Sequence, residues 1–211
     1  MKKWLIVCLL LVPSASWAQH VGDKELTGQI GYQYWGTQTF VNSFGYPAGD
    51  VHVNAALTYG GLLSLFIRDY YAAEIQYSYS TGDLIARPEG PFGDTKIADL
   101  ATQYIQVYGT RFVPVKPDKM DAFVMGGLGA TGYSASGFDS RWLFSFGVGL
   151  GLKIHTNEKM SIRIQQRFLV PVQWGEGGFY FGTGGAGVSV GGGSSIIQGD
   201  TSLGLVLKLG S

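Results

Sequence analysis

Residues 201–211 read TSLGLVLKLGS, and this stretch decides the fold. Leucine occupies every second position from 203 to 209, with small, polar or short apolar residues between. Such alternation is typical of a β-strand, because successive side chains point to opposite faces. In water, an apolar strand with so little charge would recruit other strands and aggregate. A membrane barrel needs such a strand in its wall, and we predict that role for it.

The first eighteen residues have the pattern of a secretory signal peptide. Lys2 and Lys3 form a basic start, residues 4–12 are apolar, and residues 16–18 end in a small-x-small pattern. The apolar run is too short for a transmembrane helix, which takes about 20 residues. We expect cleavage after Ala18. The mature chain, residues 19–211, is then predicted to form one outer-membrane barrel domain.

Composition excludes several classes of protein. Cys8 is the only cysteine and lies in the predicted signal peptide, so we expect neither disulfides nor a cysteine-based metal site. Without Lys2 and Lys3, the 15 basic and 15 acidic residues become 13 against 15, a balance of −2, which offers no patch for nucleic acid. Glycine is abundant at 33 of 211 residues, but 12 Tyr, 12 Phe and 5 Trp argue against disorder.

Eight segments of the mature chain alternate with a period of two. They span residues 26–35, 53–67, 70–81, 100–113, 121–133, 142–154, 160–174 and the C-terminal tail. The many glycines of residues 121–133 leave the facing of that segment open. No run of 18 apolar residues follows the signal peptide, so no transmembrane helix is predicted. The predicted fold class is all-β: an eight-stranded antiparallel transmembrane β-barrel with an up-and-down meander.

Short and long connections alternate between these segments. Short ones lie near residues 68–69, 114–120 and 155–159, and long ones near residues 36–52, 82–99, 132–141 and 174–200. Outer-membrane barrels have short periplasmic turns and long extracellular loops. An even number of strands places both termini on the short-turn side. We therefore expect the outer membrane of a Gram-negative bacterium, with periplasmic termini and four long extracellular loops.

A soluble β-sandwich would also alternate, but two features favour the membrane barrel. The apolar faces of the eight segments carry almost no charge. Trp142 and Trp174 fall where strands meet long loops, as in the aromatic girdles of membrane barrels. Trp35 lies at the same level, yet strict alternation points it inward, so either a bulge intervenes or the register differs there.

The C-terminal stretch is similar to the sorting signal of bacterial outer-membrane proteins. Ser202-x-Gly204-x-x-Leu207-x-Leu209 matches polar, x, Gly, x, x, hydrophobic, x, hydrophobic, with Leu209 in place of the usual final aromatic residue. The stretch FGVGLGLKIHTNEKMSIRIQQRFLVP at residues 146–171 adds a glycine-laced strand, a polar turn and a strand with inward arginines. The mature chain thus resembles the small eight-stranded barrels of the OmpA/OmpX type. The resemblance implies insertion by the barrel-assembly machinery and no one activity.

Alternation also places charged side chains inside the predicted barrel. Glu74 projects inward from the third segment, and Arg163, Gln165 and Arg167 project inward from the seventh. An eight-stranded barrel is just filled by its side chains, and buried charges must be paired. We interpret these residues as a polar network in which Glu74 joins the arginines and plugs the lumen. A gated ion path through them is the alternative.

Two motifs could indicate a nucleotide-binding site or a catalytic histidine, but each also fits a structural role. Gly127-x-Gly129-x-x-Gly132 matches a dinucleotide fingerprint, but the motif requires a following helix, and YSASGFDSRW at residues 133–142 is loop-like. His52, within Asp50–Val51–His52, weakly resembles a pair in outer-membrane proteases, which are larger, ten-stranded barrels with a second acidic pair. Lipid-modifying barrels share a His-x-Ser that is absent here. We expect a solvated loop histidine, no catalytic residues, no cofactor and no metal.

The expected function is therefore a non-enzymatic one. We expect a structural or surface-interaction role, presented by the long loops, with membrane lipid, the barrel-assembly machinery and an extracellular or envelope partner as contacts, and no nucleic acid. The glycine-rich loop GGFYFGTGGAGVSVGGGSS at residues 177–195 either extends the last two strands or forms an aromatic surface for a partner. The alternatives are a lipid- or peptide-hydrolysing barrel centred on His52 and, third, a narrow pore.

Overall fold

A computed structural model describes residues 21–36, 38–41, 47–88, 93–137, 139–172, 179–182, 185–190 and 193–210. The predicted signal peptide and Trp174 lie outside the described residues. The described part of the chain contains no helix that is long and apolar enough to cross a membrane. Its strands are β1 (Lys24–Trp35), β2 (Gln38–Val41), β3 (Pro47–Val53), β4 (Ala56–Arg68), β5 (Tyr71–Pro88), β6 (Thr95–Lys116), β7 (Met120–Ala135), β8 (Arg141–His155), β9 (Met160–Val172), β10 (Phe179–Gly182), β11 (Gly185–Val190), β12 (Gly193–Ile196) and β13 (Gln198–Gly210).

Eight of these strands form a closed antiparallel barrel, as the sequence predicts. β1 pairs with β4, each strand from β4 to β9 pairs with the next, and β9 pairs with β13. β13 then closes the ring on β1. The connections at residues 69–70, 117–119 and 156–159 lie at one end of the barrel, together with the start of β1 and the end of β13. We call this the turn end and the opposite end the loop end.

Side chains alternate between the wall's outer face and the lumen. On β13, Leu203 and Leu205 are about half exposed, at 52% and 48%, whereas Ser202 and Val206 are 3% exposed. The inward facing predicted for Glu74 on β5 and for Arg163, Gln165 and Arg167 on β9 is confirmed, because all four are buried. The facing of β7, which the sequence left open, is also settled: Phe123 and Thr131 are among its inward residues. The outer face is thus apolar and the lumen largely polar.

Several sequence-based boundaries were wrong. Strands β2 and β3 occupy part of the loop predicted near residues 36–52, and β13 starts at Gln198, inside the loop predicted near 174–200. The second barrel strand starts at Ala56 rather than at residue 53, because residues 54–55 interrupt the pairing and Val53 belongs to β3. The loop predicted near 82–99 is mostly strand, because Asp83 pairs with Asp99 and the hairpin of β5 and β6 continues past the ring. The loop predicted near 132–141 shrinks to residues 136–140, because Tyr133 pairs with Arg141.

Within the described part of the chain, the two tryptophans at the loop end, Trp35 and Trp142, face opposite ways. Trp142 lies on the outer face and is 51% exposed, as expected for a girdle residue. Trp35 ends β1, which pairs in unbroken register from Glu25 onward, so no bulge intervenes. Its indole nitrogen is buried, consistent with the inward position that strict alternation gives it.

Two small additions extend the barrel at the loop end. β3 pairs with the outer part of β5, and β2 pairs with β3, so the wall continues upward as a short sheet. β10, β11 and β12 form a separate three-stranded antiparallel sheet. The described parts of residues 177–195 therefore pair with one another rather than simply lengthening β9 and β13. The side chains of Phe179, Tyr180 and Phe181 lie outside the described residues.

Glycine is required on the inner face of the barrel wall where a large side chain packs against the backbone. A Cβ atom on Gly151 would lie 2.2 Å from the carbonyl oxygen of Ile164 and 2.5 Å from the ring of Phe123. On the outer face, a Cβ atom on Gly28 would meet nothing within 4 Å. The small residue at position 151 thus makes room for the aromatic ring inside.

We predict that Gly151→Ala destabilises the barrel, because the added methyl forces the ring or the backbone to shift. Overpacking of this kind costs about 1–3 kcal/mol. Gly28→Ala is the matched control and is expected to cause no loss, since its methyl enters open space. Urea titration of the refolded variants, followed by tryptophan fluorescence, measures both. Equal stability of the two variants would contradict the assigned packing.

Candidate functional site

The centre of the lumen holds a buried ion pair between β5 and β9. The Arg163 guanidinium donates two hydrogen bonds to the carboxylate of Glu74, from Nη1 at 2.7 Å and from Nη2 at 2.9 Å. Ser64 and Thr110 also donate to this carboxylate, at 2.9 and 2.6 Å. Glu74 and Arg163 are 0% and 2% exposed. The carboxylate thus has the full set of donors that a buried charge requires.

Arg163 is held from three further directions. Its Nε donates to the amide oxygen of Gln165 at 2.9 Å, and Gln165 donates to Gln29 at 3.1 Å. Its guanidinium lies over the ring of Phe123, 4.1 Å from the centroid. Met125 Sδ accepts a weak contact at 3.7 Å. These contacts leave the arginine little freedom to swing aside as a gate.

The second predicted arginine has a different partner. Arg167 donates to Asp200 at 3.1 Å and to Ser78 at 3.2 Å, and it is 0% exposed. The sequence interpretation joined Glu74 to both arginines, but the structure brings Glu74 only to Arg163. Asp200 lies on β13, which is paired directly with β9 at this level. The predicted single network is therefore two separate ion pairs.

A third ion pair lies nearer the turn end and was missed. Lys153 Nζ donates to both carboxylate oxygens of Glu25, at 2.5 and 2.6 Å. Its ammonium group also lies 5.4 Å from the ring centroids of Phe66 and Phe112. The signal was available for Lys153, which has the inward parity of the predicted segment 142–154. Glu25 and Asp200 lie just outside the predicted segments, because β1 starts at Lys24 and β13 at Gln198.

The lumen also contains an apolar cluster and an outer layer of amides and phenols. Phe66, Phe112, Phe123, Tyr108, Met125 and Ala72 form one buried cluster. Toward the loop end, Gln33 donates to the hydroxyl of Tyr104, which donates to Gln198, and Gln198 donates to Tyr133. The rings of the apolar cluster lie directly against the cations of two ion pairs, Arg163 and Lys153. Among the described residues, the lumen thus holds buried side chains from Phe66 near the turn end to Tyr104 toward the loop end.

The turn end is closed by a further polar group. His155 Nε2 lies 2.8 Å from Asp121, and His155 Nδ1 lies 3.1 Å from the hydroxyl of Ser161. Lys208 pairs with Asp23 at 2.6 Å. Histidine here joins strands β7, β8 and β9 at the point where the lumen meets the outside.

The loop end carries exposed ion pairs on the extension of β5 and β6. Arg87 donates two hydrogen bonds of 2.9 Å to Asp94, and Lys96 pairs with Asp83 and Asp99 at 2.7 Å. Hydrogen bonding from Arg87 lowers the pKa of Asp94, and hydrogen bonding from Lys96 lowers that of Asp99. The extension thus presents fixed charges of both signs to solvent.

His52 also lies on this extension, on the strand that pairs with the outer part of β5. It occupies β3 opposite Ile85, and Asp50 lies opposite Arg87. The described residues contain no group of three or more His, Cys, Asp and Glu side chains placed to hold a metal. The Gly127–Gly132 motif lies within β7, and the strand continues to Ala135 where a dinucleotide motif needs a helix.

The residues of the predicted sorting signal divide between the two faces of β13. Ser202 and Gly204 face the lumen, whereas Leu207 and Leu209 face outward at 39% and 58% exposure. Ser202 lies 3.4 Å from Asp200. The leucines therefore belong to the apolar outer surface that the strand shows to its surroundings.

The filled lumen, the apolar outer face and the eight-stranded meander together define the fold of small outer-membrane β-barrels. A scan against protein-family models finds no match, and a search of curated proteins finds no significant match. Solved structures of that fold do match. The outer membrane protein OprG from Pseudomonas aeruginosa aligns with a TM-score of 0.66 at 11% identity, over 93% of this chain and 100% of OprG.

Two other barrels align over a similar length. Neisserial surface protein A gives a TM-score of 0.58 at 11% identity, over 88% of this chain and 97% of its own. The outer membrane protein AlkL, studied in lipid bilayers, gives 0.52 at 12% identity, over 95% and 96% of the two chains. At these identities the likeness concerns the fold, and it agrees with the OmpA/OmpX-type barrel expected from the sequence.

Proposed function

We propose that this chain is an integral outer-membrane barrel without enzymatic activity, whose wall anchors a structural or interaction surface at the loop end. The main support for this proposal is the packing of side chains in the lumen. Three buried ion pairs, Glu74 with Arg163, Arg167 with Asp200 and Lys153 with Glu25, cross it together with an aromatic cluster. A barrel filled in this way supports a scaffold better than a channel.

The outer face supports the membrane location. Large apolar side chains are exposed around the wall, including Ile30, Leu57, Ile75, Val107, Val124, Leu128, Val148, Leu150 and Leu203. Soluble monomers rarely expose contiguous apolar patches above a few hundred square ångströms. A belt of this kind is stable only where hydrocarbon covers it. In the proposed orientation the turn end and both termini are periplasmic, and the barrel-assembly machinery inserts the chain after the signal peptide is removed.

The extension at the loop end supports the interaction role. β5 and β6 have 18 and 22 residues, and about 9–11 suffice for a tilted strand to cross a membrane. The surplus, widened by β2 and β3, holds charges of both signs in fixed positions. We propose that an envelope or extracellular partner binds this platform, because rigid scaffolds commonly carry function on their projecting segments.

Gel mobility and conductance test the proposal together. The unheated protein in mild detergent is expected to migrate differently from the boiled protein on a denaturing gel, because a closed barrel has no edge from which to unzip. Incorporated into a planar bilayer, it is expected to show no steady conductance. Identical migration, or a monomer soluble without detergent, would refute the membrane barrel. Clear single-channel steps would instead refute the closed scaffold.

A further inference from the structure

A groove interrupts the apolar outer face near the turn end. It has a volume of about 440 Å³, and its lining includes Ile67, Tyr71, Gly109, Arg111, Val124 and Gly126. Gly109 and Gly126 are paired across β6 and β7, so two neighbouring outward positions lack side chains. Ala72, Thr110 and Met125, which point inward, complete the lining. The groove is therefore a gap in the wall's apolar surface.

Barrel packing does not require these two glycines. A Cβ atom on Gly126 would meet nothing within 4 Å, and one on Gly109 would meet only the carbonyl oxygen of Gly126, at 4.0 Å. By contrast, a Cβ atom on the inward Gly127 would lie 2.0 Å from the carbonyl oxygen of Val107. The outward pair leaves space where larger apolar residues would fit. The groove therefore does not exist because neighbouring atoms force glycine at these two positions.

Arg111 places a positive charge at one end of the groove. It faces outward on β6, opposite Tyr71, the first residue of β5, and Val113 beyond it is 48% exposed. Among the described residues it forms no ion pair with a carboxylate. Its guanidinium lies 5.6 Å from the ring centroid of Tyr71. A charge on an outer face is tolerated near the membrane interface, where long side chains reach polar groups.

We infer that this groove binds a glycerophospholipid, with the phosphate on Arg111 and an acyl chain along Gly109 and Gly126. The guanidinium presents a planar set of N–H donors that matches phosphate oxygens, and the glycine gap accepts a flexible apolar chain. Only a lipid carries both parts in one molecule. The inference rests on the proposed membrane location, which places the turn end at the periplasmic leaflet.

The barrel wall offers a comparison site. A second groove of about 430 Å³ is lined by Gly28, Ile30, Ile162, Leu203 and Leu205, with Gln29 and Gly204, and it has no charged lining residue. Filling this groove leaves Arg111 and its surroundings untouched. Gly28→Leu is therefore a control for the effect of adding apolar bulk to the outer face.

Native mass spectrometry of the refolded protein, titrated with dioleoylphosphatidylglycerol in detergent, tests the inference. Arg111→Gln is expected to weaken binding of the first lipid about fivefold, as for loss of one cation near a lipid surface. The double variant Gly109→Leu with Gly126→Leu is expected to weaken it comparably, by filling the groove. Arg111→Lys should fall between wild type and Arg111→Gln, because it keeps the charge and loses the planar donors.

Gly28→Leu is expected to bind like wild type. Equal affinity of wild type and Arg111→Gln, or equal weakening by Gly28→Leu, would overturn the inference. If glycerophosphate competes as well as the lipid, the acyl chain plays no part in binding and the inference of a lipid site fails. If lipid A displaces the phospholipid at a lower concentration, the groove binds lipopolysaccharide and the inference of a glycerophospholipid fails. A heat-shifted gel band for every variant separates these outcomes from failure of the barrel itself, which would overturn both proposals.

Discussion

Glu74→Ala is expected to lower the free energy of unfolding by about 3–5 kcal/mol, because it leaves a buried guanidinium without its partner. The carboxylate accepts two hydrogen bonds from Arg163 and one each from Ser64 and Thr110, so four donors lose an acceptor. Urea unfolding of the barrel from lipid vesicles measures the loss. If water reaches the lumen in the variant, the loss is smaller.

Two further variants show whether the pair itself is responsible. Glu74→Ala combined with Arg163→Met removes both charges and is expected to recover most of the lost stability, because a buried pair replaced by apolar residues is often neutral. Asp94→Ala breaks the exposed pair with Arg87 and is expected to leave the unfolding midpoint unchanged. A Glu74→Ala barrel as stable as wild type, with new single-channel conductance, would show that Glu74 gates a pore.

Val148→Arg is expected to destabilise the inserted barrel by about 2–4 kcal/mol, the cost of a basic side chain on the lipid face at the membrane midplane. Val148 lies at the middle of β8 and is 58% exposed. It is outside the C-terminal sorting stretch, so its effect reports on the lipid face and not on recognition during assembly. Vesicle unfolding titrations against urea give the difference.

Depth along the same strand supplies the control. Ile154 also faces outward, at 36% exposure, but it is next to the last residue of β8. Ile154→Arg is expected to cost only about 0–1 kcal/mol, because a long basic side chain at the interface reaches water. Equal costs at the two positions would show that this face does not lie in hydrocarbon.

Alternation alone predicted most of the barrel. Where one face of a strand is apolar and the other polar, as at Leu203 and Ser202, parity determines which side chain enters the lumen. The same rule placed Glu74, Arg163 and Arg167 inside. It applied equally to Lys153, which lies within the predicted segment 142–154. Asp200 was not readable in this way, because residue 200 was assigned to the long loop near 174–200, whereas β13 starts at Gln198.

The partners within the lumen were not readable. Parity gives the face of each residue but not its height, and the height depends on how each strand is shifted against its neighbour. Arg167 meets Asp200 because β9 and β13 align them as direct partners. Similarly, the loop end could not be foreseen, since the residues near 82–99 and 132–141 are polar or glycine-containing and pair through backbone groups that sequence polarity does not reveal.

The closing seam between β1 and β13 orders the events of assembly. Glu25 on β1 is separated from Lys153 by 128 positions along the chain, so we expect this pair to form only after most of the wall exists. Before the seam closes, the polar face is one side of an open sheet, and lipid touching it would meet Glu25 and Lys153 as unmatched charges. We therefore expect the sheet to curve and close into a barrel while water still covers its inner face. We therefore expect loss of water, pairing of these charges and joining of β1 with β13 to occur together, late in assembly.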